Sequence, residues 1–171
     1  DVNIIPEAIE NAFRVALSPR RGSCFISIPQ DVLLEQTAET PIKPSNTILY
    51  GPAPISRIKE AADLIAKSKL PVLLLGEDAS LQSNVEAIRS LISLHKIPVT
   101  ATYQGAGIVS RELIDNFIGR VGLFRNQPGD KLLEQSDLII TIGYSSVEYD
   151  PEIWNVSGRK NIIHIDSIKA N

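Results

Sequence analysis

Two runs in this sequence are apolar almost from end to end. They are Val72-Leu73-Leu74-Leu75 and Leu138-Ile139-Ile140-Thr141-Ile142, and each stops at a glycine, Gly76 and Gly143. A strand with one wet face alternates polar and apolar residues; a strand without alternation is covered on both faces, which implies a parallel sheet between helices. The stretch from Ile97 to Asp150 organises the rest. It opens with Pro98-Val99-Thr100-Ala101-Thr102, followed by Gly105-Ala106-Gly107, and contains Gly119-Arg120-Val121-Gly122-Leu123-Phe124, too glycine-rich for an ordinary helix. In parallel sheets the loops at the carboxyl ends of the strands form the ligand crevice. The glycines fall at those ends.

The remaining elements follow from spacing. Ile5, Ala8, Ile9, Ala12, Phe13 and Ala16 mark a helix over 4–17, with Pro6 in its first turn. Ser18-Pro19-Arg20-Arg21-Gly22 stops it, and Cys24-Phe25-Ile26-Ser27-Ile28 reads as a strand ended by Pro29. Val32 to Pro54 holds four prolines and no sustained period, so an extended linker is expected over 32–54. A main domain over 55–171 then alternates helix and strand. Helices are predicted at 55–65, at 85–92 with a cap at Ser83 or Asn84, at Ser110–Phe117 capped by Ser110, at Gly129–Gln135, and as a short turn at Pro151–Trp154. The last strand is Asn161 to Asp166. This is the pattern of a doubly wound parallel α/β sheet flanked by helices, with right-handed crossovers.

Composition closes off several classes of function. Seventeen Lys+Arg against 20 Asp+Glu give a formal net charge of -3, without a basic run, so nucleic acid has no electrostatic footprint here. No segment approaches the roughly 20 apolar residues that span a bilayer, and none has the charged start and apolar core of a secretory signal. A single cysteine, Cys24, leaves no internal disulfide and fits a reducing cytoplasm. The 171 residues include no methionine, begin inside a helical pattern and end just after a strand, so an internal piece of a longer polypeptide is expected.

Candidate chemistry is sparse. Gly105-x-Gly107-x-x-Ser110 lies between a strand and a helix, as a dinucleotide fingerprint should, but lacks its third glycine; a plain tight turn is the alternative. There is no P-loop lysine. Asp166 ends the last strand, where a carboxylate would accept from a ribose hydroxyl or simply cap the next turn. Glu148, Tyr149 and Asp150 line a crevice or form a solvated acidic turn. His95 and His164 have no second ligand at metal spacing and read as satisfied structural histidines. Cys24 reads as a small buried hydrophobe, Ser145-Ser146 lacks a nucleophile elbow, and Lys131, Glu134 and Asp137 read as the solvated face of a helix.

Several stretches go further than their chemistry. Phe25-Ile26-Ser27-Ile28-Pro29-Gln30-Asp31-Val32 resembles the segment that closes the pyrimidine-binding domain of thiamine-diphosphate (ThDP) enzymes, and Pro71-Val72-Leu73-Leu74-Leu75-Gly76 the first strand of their central, NAD/FAD-binding-type domain. Thr100 to Gly107, Gly119 to Gln127, and Ile142 to Pro151 with Trp154-Asn155 and His164-Ile165-Asp166 together resemble the catabolic, flavin-independent acetolactate synthases. The resemblance covers the whole chain. It makes 1–31 a helix and strand left from the pyrimidine-binding domain, whose Phe13, Phe25 and Ile26 then either dock on the central domain or expose a patch for self-association.

The resemblance implies an enzyme with three α/β domains per subunit, working as a dimer or tetramer. It condenses two pyruvates to 2-acetolactate and CO2, with ThDP and Mg2+ held outside these residues. The glutamate that activates the cofactor and the Gly-Asp-Gly metal motif are absent; Gly129-Asp130-Lys131 is not that motif. No catalytic residue and no metal ligand is therefore expected here, and these residues alone are expected to be inactive. A vestigial cofactor crevice is expected at Gly76, Tyr103, Gln104, Gly122, Gly143, Tyr144 and Asp166, with Leu123, Phe124 and Glu148 near the substrate pocket. Where flavin-binding relatives carry an Arg-Phe-Asp-Asp-Arg type run, this chain has Ser145-Ser146-Val147-Glu148-Tyr149. A flavin diphosphate would lack charge-assisted donors there. FAD is not expected, and Tyr144, Tyr149 and Phe124 are expected to fill its place. Two alternatives remain open, an FAD-binding biosynthetic acetolactate synthase or related decarboxylase, and a stand-alone nucleotide-binding module.

Overall fold

The computed structural model describes residues 1–19, 21–43, 51–156, 158 and 160–169. Arg20 in the helix stop, residues 44–50 of the expected linker, and Ala170-Asn171 lie outside the described residues. The chain divides into two units, Asp1–Gly51 and Pro52–Asn171.

In the first unit a 3-10 turn, Val2–Ile4, is capped by Asp1, whose Oδ1 accepts from Asn3 N at 2.9 Å. It runs into α1 (Ile5–Ala16), and a single turn, α2 (Gln30–Leu33), follows later. The expected strand at Cys24–Ile28 does not form: the described residues between α1 and α2 make no ladder. Cys24 is exposed rather than buried, and Phe25 is 90% exposed. Its β-branched and aromatic composition suits a strand, but a strand exists only with a neighbour to bond.

The second unit is a five-stranded, wholly parallel sheet. It comprises α3 (Ile55–Lys67), β1 (Pro71–Leu75), α4 (Gln82–His95), β2 (Val99–Thr102), β3 (Phe117–Val121), α5 (Pro128–Gln135), β4 (Leu138–Ile142), α6 (Pro151–Trp154) and β5 (Asn161–Ile165). The strand order is β3-β2-β1-β4-β5. The winding therefore reverses between β1 and β4, the point where open α/β sheets receive ligands. Burial follows the same logic as the apolar runs. Alternate residues Leu73, Leu75, Val99, Ala101, Ile140 and Ile142 pack on one face with Ile88 and Ile92 of α4. Val72, Leu74 and Ile139 pack on the other with Leu133 of α5, Tyr144, Tyr149 and Trp154.

Polar contacts align the two central strands at their entrances. Asp137, just before β4, accepts from Ser68 Oγ at 2.5 Å, Lys69 N at 2.7 Å and Leu70 N at 2.9 Å, just before β1. Those donors, the serine hydroxyl first, hold its carboxyl down at about 2. Asp137 is thus a clasp between strands and no part of a helix face. Lys160 Nζ meets the last carbonyls of α5, Glu134 O at 2.7 Å and Ser136 O at 2.9 Å.

Three local expectations need correction. Ser110–Phe117 is not an α-helix: Arg111–Asn116 is 3-10, and Phe117 already belongs to β3. α4 starts after Leu81, so neither Ser83 nor Asn84 caps it; Asn84 Nδ2 instead donates to Asp78 O at 3.0 Å. His164 is only half satisfied, with Nδ1 2.7 Å from Thr141 Oγ1 and a buried Nε2 without a hydrogen bond, 3.8 Å from Asp166 Oδ2.

Candidate functional site at the carboxyl ends of the strands

At the reversal point the loops after β1 and β4 touch backbone to backbone. Gly76 N donates to Ile142 O at 3.0 Å and Asp78 N to Gly143 O at 3.1 Å. A Cβ on Gly76 would stand 2.4 Å from Gly143 O and 2.5 Å from Tyr144 Cα. Gly143 has φ +55, and a Cβ there would stand 2.3 Å from Ala79 N. The two glycines, expected from the sequence to line a vestigial cofactor crevice, stand where the chain itself comes this close.

Over this contact lies the side chain of Glu148. Its Oε2 accepts from Glu77 N at 3.0 Å and Thr102 Oγ1 at 2.5 Å, and its Oε1 accepts from Ser145 N at 3.0 Å. One carboxylate thus joins the exits of β1, β2 and β4. Thr102 Oγ1 also accepts from Gly105 N at 3.2 Å, and Arg89 holds the next turn through Ile108 O at 2.7 Å and Gly107 O at 3.0 Å. Gly105-x-Gly107 is therefore a tight turn with its amide and carbonyls directed into the protein, the plainer of its two readings.

The remaining crevice residues separate into two groups. Gln104 Nε2 reaches Glu77 Oε2 at 3.3 Å, and Gly122, at φ +102, lies against the Glu148 backbone, where a Cβ would stand 2.8 Å from its carbonyl. Gly76, Gly143, Tyr144, Gln104, Gly122 and Glu148 therefore converge. Tyr103 faces outward with Arg120 Cζ 5.6 Å from its ring centre. Asp166 turns on its own backbone, accepting from Ile168 N at 3.0 Å. Leu123 and Phe124 are exposed on the loop after β3.

Tyr144 and Tyr149 do not fill the crevice together with Phe124. Their rings belong to the core beneath it, while Phe124 is 64% exposed. Tyr144 donates its hydroxyl to Tyr149 O, accepts from Trp154 Nε1 at 3.2 Å, and meets the indole edge-on at 6.0 Å. Burial pushes the Tyr144 hydroxyl up to about 12, and burial with the Asp130 carboxylate raises Tyr149 as well. Tyr149 donates to Asp130 Oδ1 at 2.7 Å, and Asp130 Oδ2 accepts from Gln127 N at 2.8 Å at the start of α5. Both ends of the Leu123-Phe124 loop are thereby fixed, at Gly122 and at Gln127.

No nucleophile and base pair is assembled at this site, and among the described residues no three His, Cys, Asp or Glu side chains are placed to hold a metal. The Glu77 and Ser145 amides both donate to the Glu148 carboxylate. What the geometry supplies is a braced loop cluster. Residues 58–171 match the central domain of the thiamine pyrophosphate enzymes. The chain belongs to that family.

The chain has relatives along its full length. It is 46% identical over 171 residues, its whole length, to an acetolactate synthase of Bacillus subtilis (strain 168), of which it spans 30%. It is 41% identical over 166 residues, 97% of the chain and 30% of the relative, to "Acetolactate synthase, catabolic" of Raoultella terrigena. A solved structure described as "a putative thiamin diphosphate-dependent enzyme isolated from Mycobacterium smegmatis" shares the fold, with a TM-score of 0.63 at 21% identity over 88% of this chain and 28% of that one. That Glu148 ties three strands has no signal in the sequence, since two of its three partners lie 71 and 46 residues away. No helix among the described residues is long and apolar enough to cross a membrane.

Proposed function

We propose that these residues are the central domain of a catabolic acetolactate synthase, a cytoplasmic dimer or tetramer that condenses two pyruvates to 2-acetolactate and CO2. The observation that carries the proposal is the 46% identity to the Bacillus enzyme along the whole chain, with 41% to a relative described as catabolic. ThDP and Mg2+ supply the carbon–carbon chemistry and are held by other domains of the full protein. The contribution of this domain is mechanical. It braces the Leu123-Phe124 loop between Gly122 and the Asp130–Gln127 cap, and presents two apolar side chains toward the pyruvate pocket in a fixed place.

The same crevice runs without FAD. A flavin diphosphate would have to compete with Glu148 for the Glu77 and Ser145 amides, and would bring like charge against that carboxylate. The full-length protein is expected to form acetolactate from pyruvate only with ThDP and Mg2+, at a rate unchanged by added FAD, and the 171 residues alone are expected to form none. No acetolactate with both cofactors present would overturn the assignment. A yellow protein that releases flavin on denaturation would replace it with an FAD-binding biosynthetic enzyme.

A further inference from the structure

We propose that the loops at the carboxyl ends of β1, β2 and β4 form an oxyanion-binding site that the protein fills with its own Glu148, so that removing this side chain opens a site for a small carboxylate or inorganic phosphate.

The donors come from three separate segments: Glu77 N after β1, Thr102 Oγ1 at the end of β2 and Ser145 N after β4. None belongs to the segment between Val147 and Tyr149. They converge on the two oxygens of one carboxylate at 2.5 to 3.0 Å, the geometry in which charge-assisted hydrogen bonds are strongest. Room for the anion is built in as well, because a Cβ on Gly76 would stand 2.9 Å from Glu148 Oε1. Gly105 N secures the direction of the Thr102 hydroxyl by donating to its oxygen at 3.2 Å, which leaves the hydroxyl hydrogen for the carboxylate. A set of donors that is placed by the fold and emptied by truncation at one side chain should accept another oxyanion of similar size. Glu148 is thus a positioning residue for three loops rather than a group that meets substrate. The inference bears on the flavin-free reading of the proposed function without depending on it.

Thermal melts of the full-length protein and its Glu148→Ala variant test this, with formate, acetate or inorganic phosphate added at ionic strength held constant with chloride. The variant is expected to melt lower by roughly 5 °C or more. Formate is expected to restore much of the loss along a saturable curve while leaving the parent unmoved; phosphate tells whether the site admits a tetrahedral anion or only a planar carboxylate. Equal shifts in parent and variant, or a variant that no anion restores, would overturn the proposal. Should Glu148→Ala fail to fold, Glu148→Gln decides through amide exchange. An amide has one acceptor oxygen where the carboxylate has two, so exchange at Glu77 or Ser145 is expected to quicken roughly tenfold while Gly143 N, bonded to Ile165 O, stays protected. Unchanged exchange at both would refute it. FAD offered separately keeps the two readings apart, since uptake by the parent would end the flavin-free assignment while anion rescue of the variant still stood.

Discussion

Replacing Gly76 by alanine tests whether the switch point is held shut by direct backbone contact. Gly76 has φ -103 and ψ -168, extended backbone that alanine adopts freely, so any penalty is steric. The added Cβ would lie 2.4 Å from Gly143 O and 2.5 Å from Tyr144 Cα, against 3.4 Å for ordinary contact. The β1 and β4 exits must then part by about 1 Å, since neither obstacle is a flexible side chain. A displacement of that size carries Gly76 N→Ile142 O and Asp78 N→Gly143 O, now 3.0 and 3.1 Å, past hydrogen-bonding range. Two backbone hydrogen bonds at about 1 kcal/mol each, with about 1–3 kcal/mol for crowding, give a loss of about 3–5 kcal/mol. Urea titration should show the midpoint falling by roughly 1 M or more. Gly107→Ala is the control, since nothing lies within 4 Å of its Cβ and only its φ of +83 opposes the change, at about 1–2 kcal/mol. A Gly76→Ala protein within about 1 kcal/mol of its parent, at unchanged slope, would refute the reasoning.

Two further outcomes follow. Asp137 has its carboxyl lowered from 3.8 to about 2, so its contribution is present above pH 3.8 and is lost as pH falls through 2; Asp137→Asn should flatten the decline of stability in that window, and an unchanged acid profile would count against the strand clasp. Tyr149→Phe removes a 2.7 Å donor to the Asp130 carboxylate and should cost about 1.5–3 kcal/mol by chemical denaturation, with a coupling to Asp130→Asn of about 1 kcal/mol or more in a double-mutant cycle. Additive single effects would mean that the hydroxyl does not anchor α5.

What the sequence made legible is what burial on two sides makes legible. β1 and β4 stand at the centre of the sheet and have almost no polar residue to confuse the pattern. β3 stands at its edge, where Ile118 and Arg120 face outward and Gly119 takes φ +132, so its residues read only as a segment too glycine-rich for a helix. Ser110–Phe117 read as an α-helix because 3.0 and 3.6 residues per turn are indistinguishable over six residues. Phe25 and Ile26 looked like a strand, but composition does not supply a neighbour to pair with. At the site, strand-end glycines announced where to look. The identity of the group that closes the crevice did not announce itself, because Glu148 meets Glu77 and Thr102 only in three dimensions. The tyrosines misled because an aromatic beside a crevice and an aromatic beneath it have the same sequence signature.

The long reach of Glu148 also governs the order in which the domain comes together. Its bonds span 71 and 46 residues, and every strand they join, β1, β2 and β4, is synthesised before it. Until residue 148 leaves the ribosome, the oppositely wound halves of the sheet meet through main-chain pairing, core packing and the Asp137 clasp at their entrances, and the amides at the opposite rim face water. Closing so distant a pair is a late event, since the entropy of a long loop must be overcome before the contact rewards it. A nascent chain paused before that point has a sheet without its fastener.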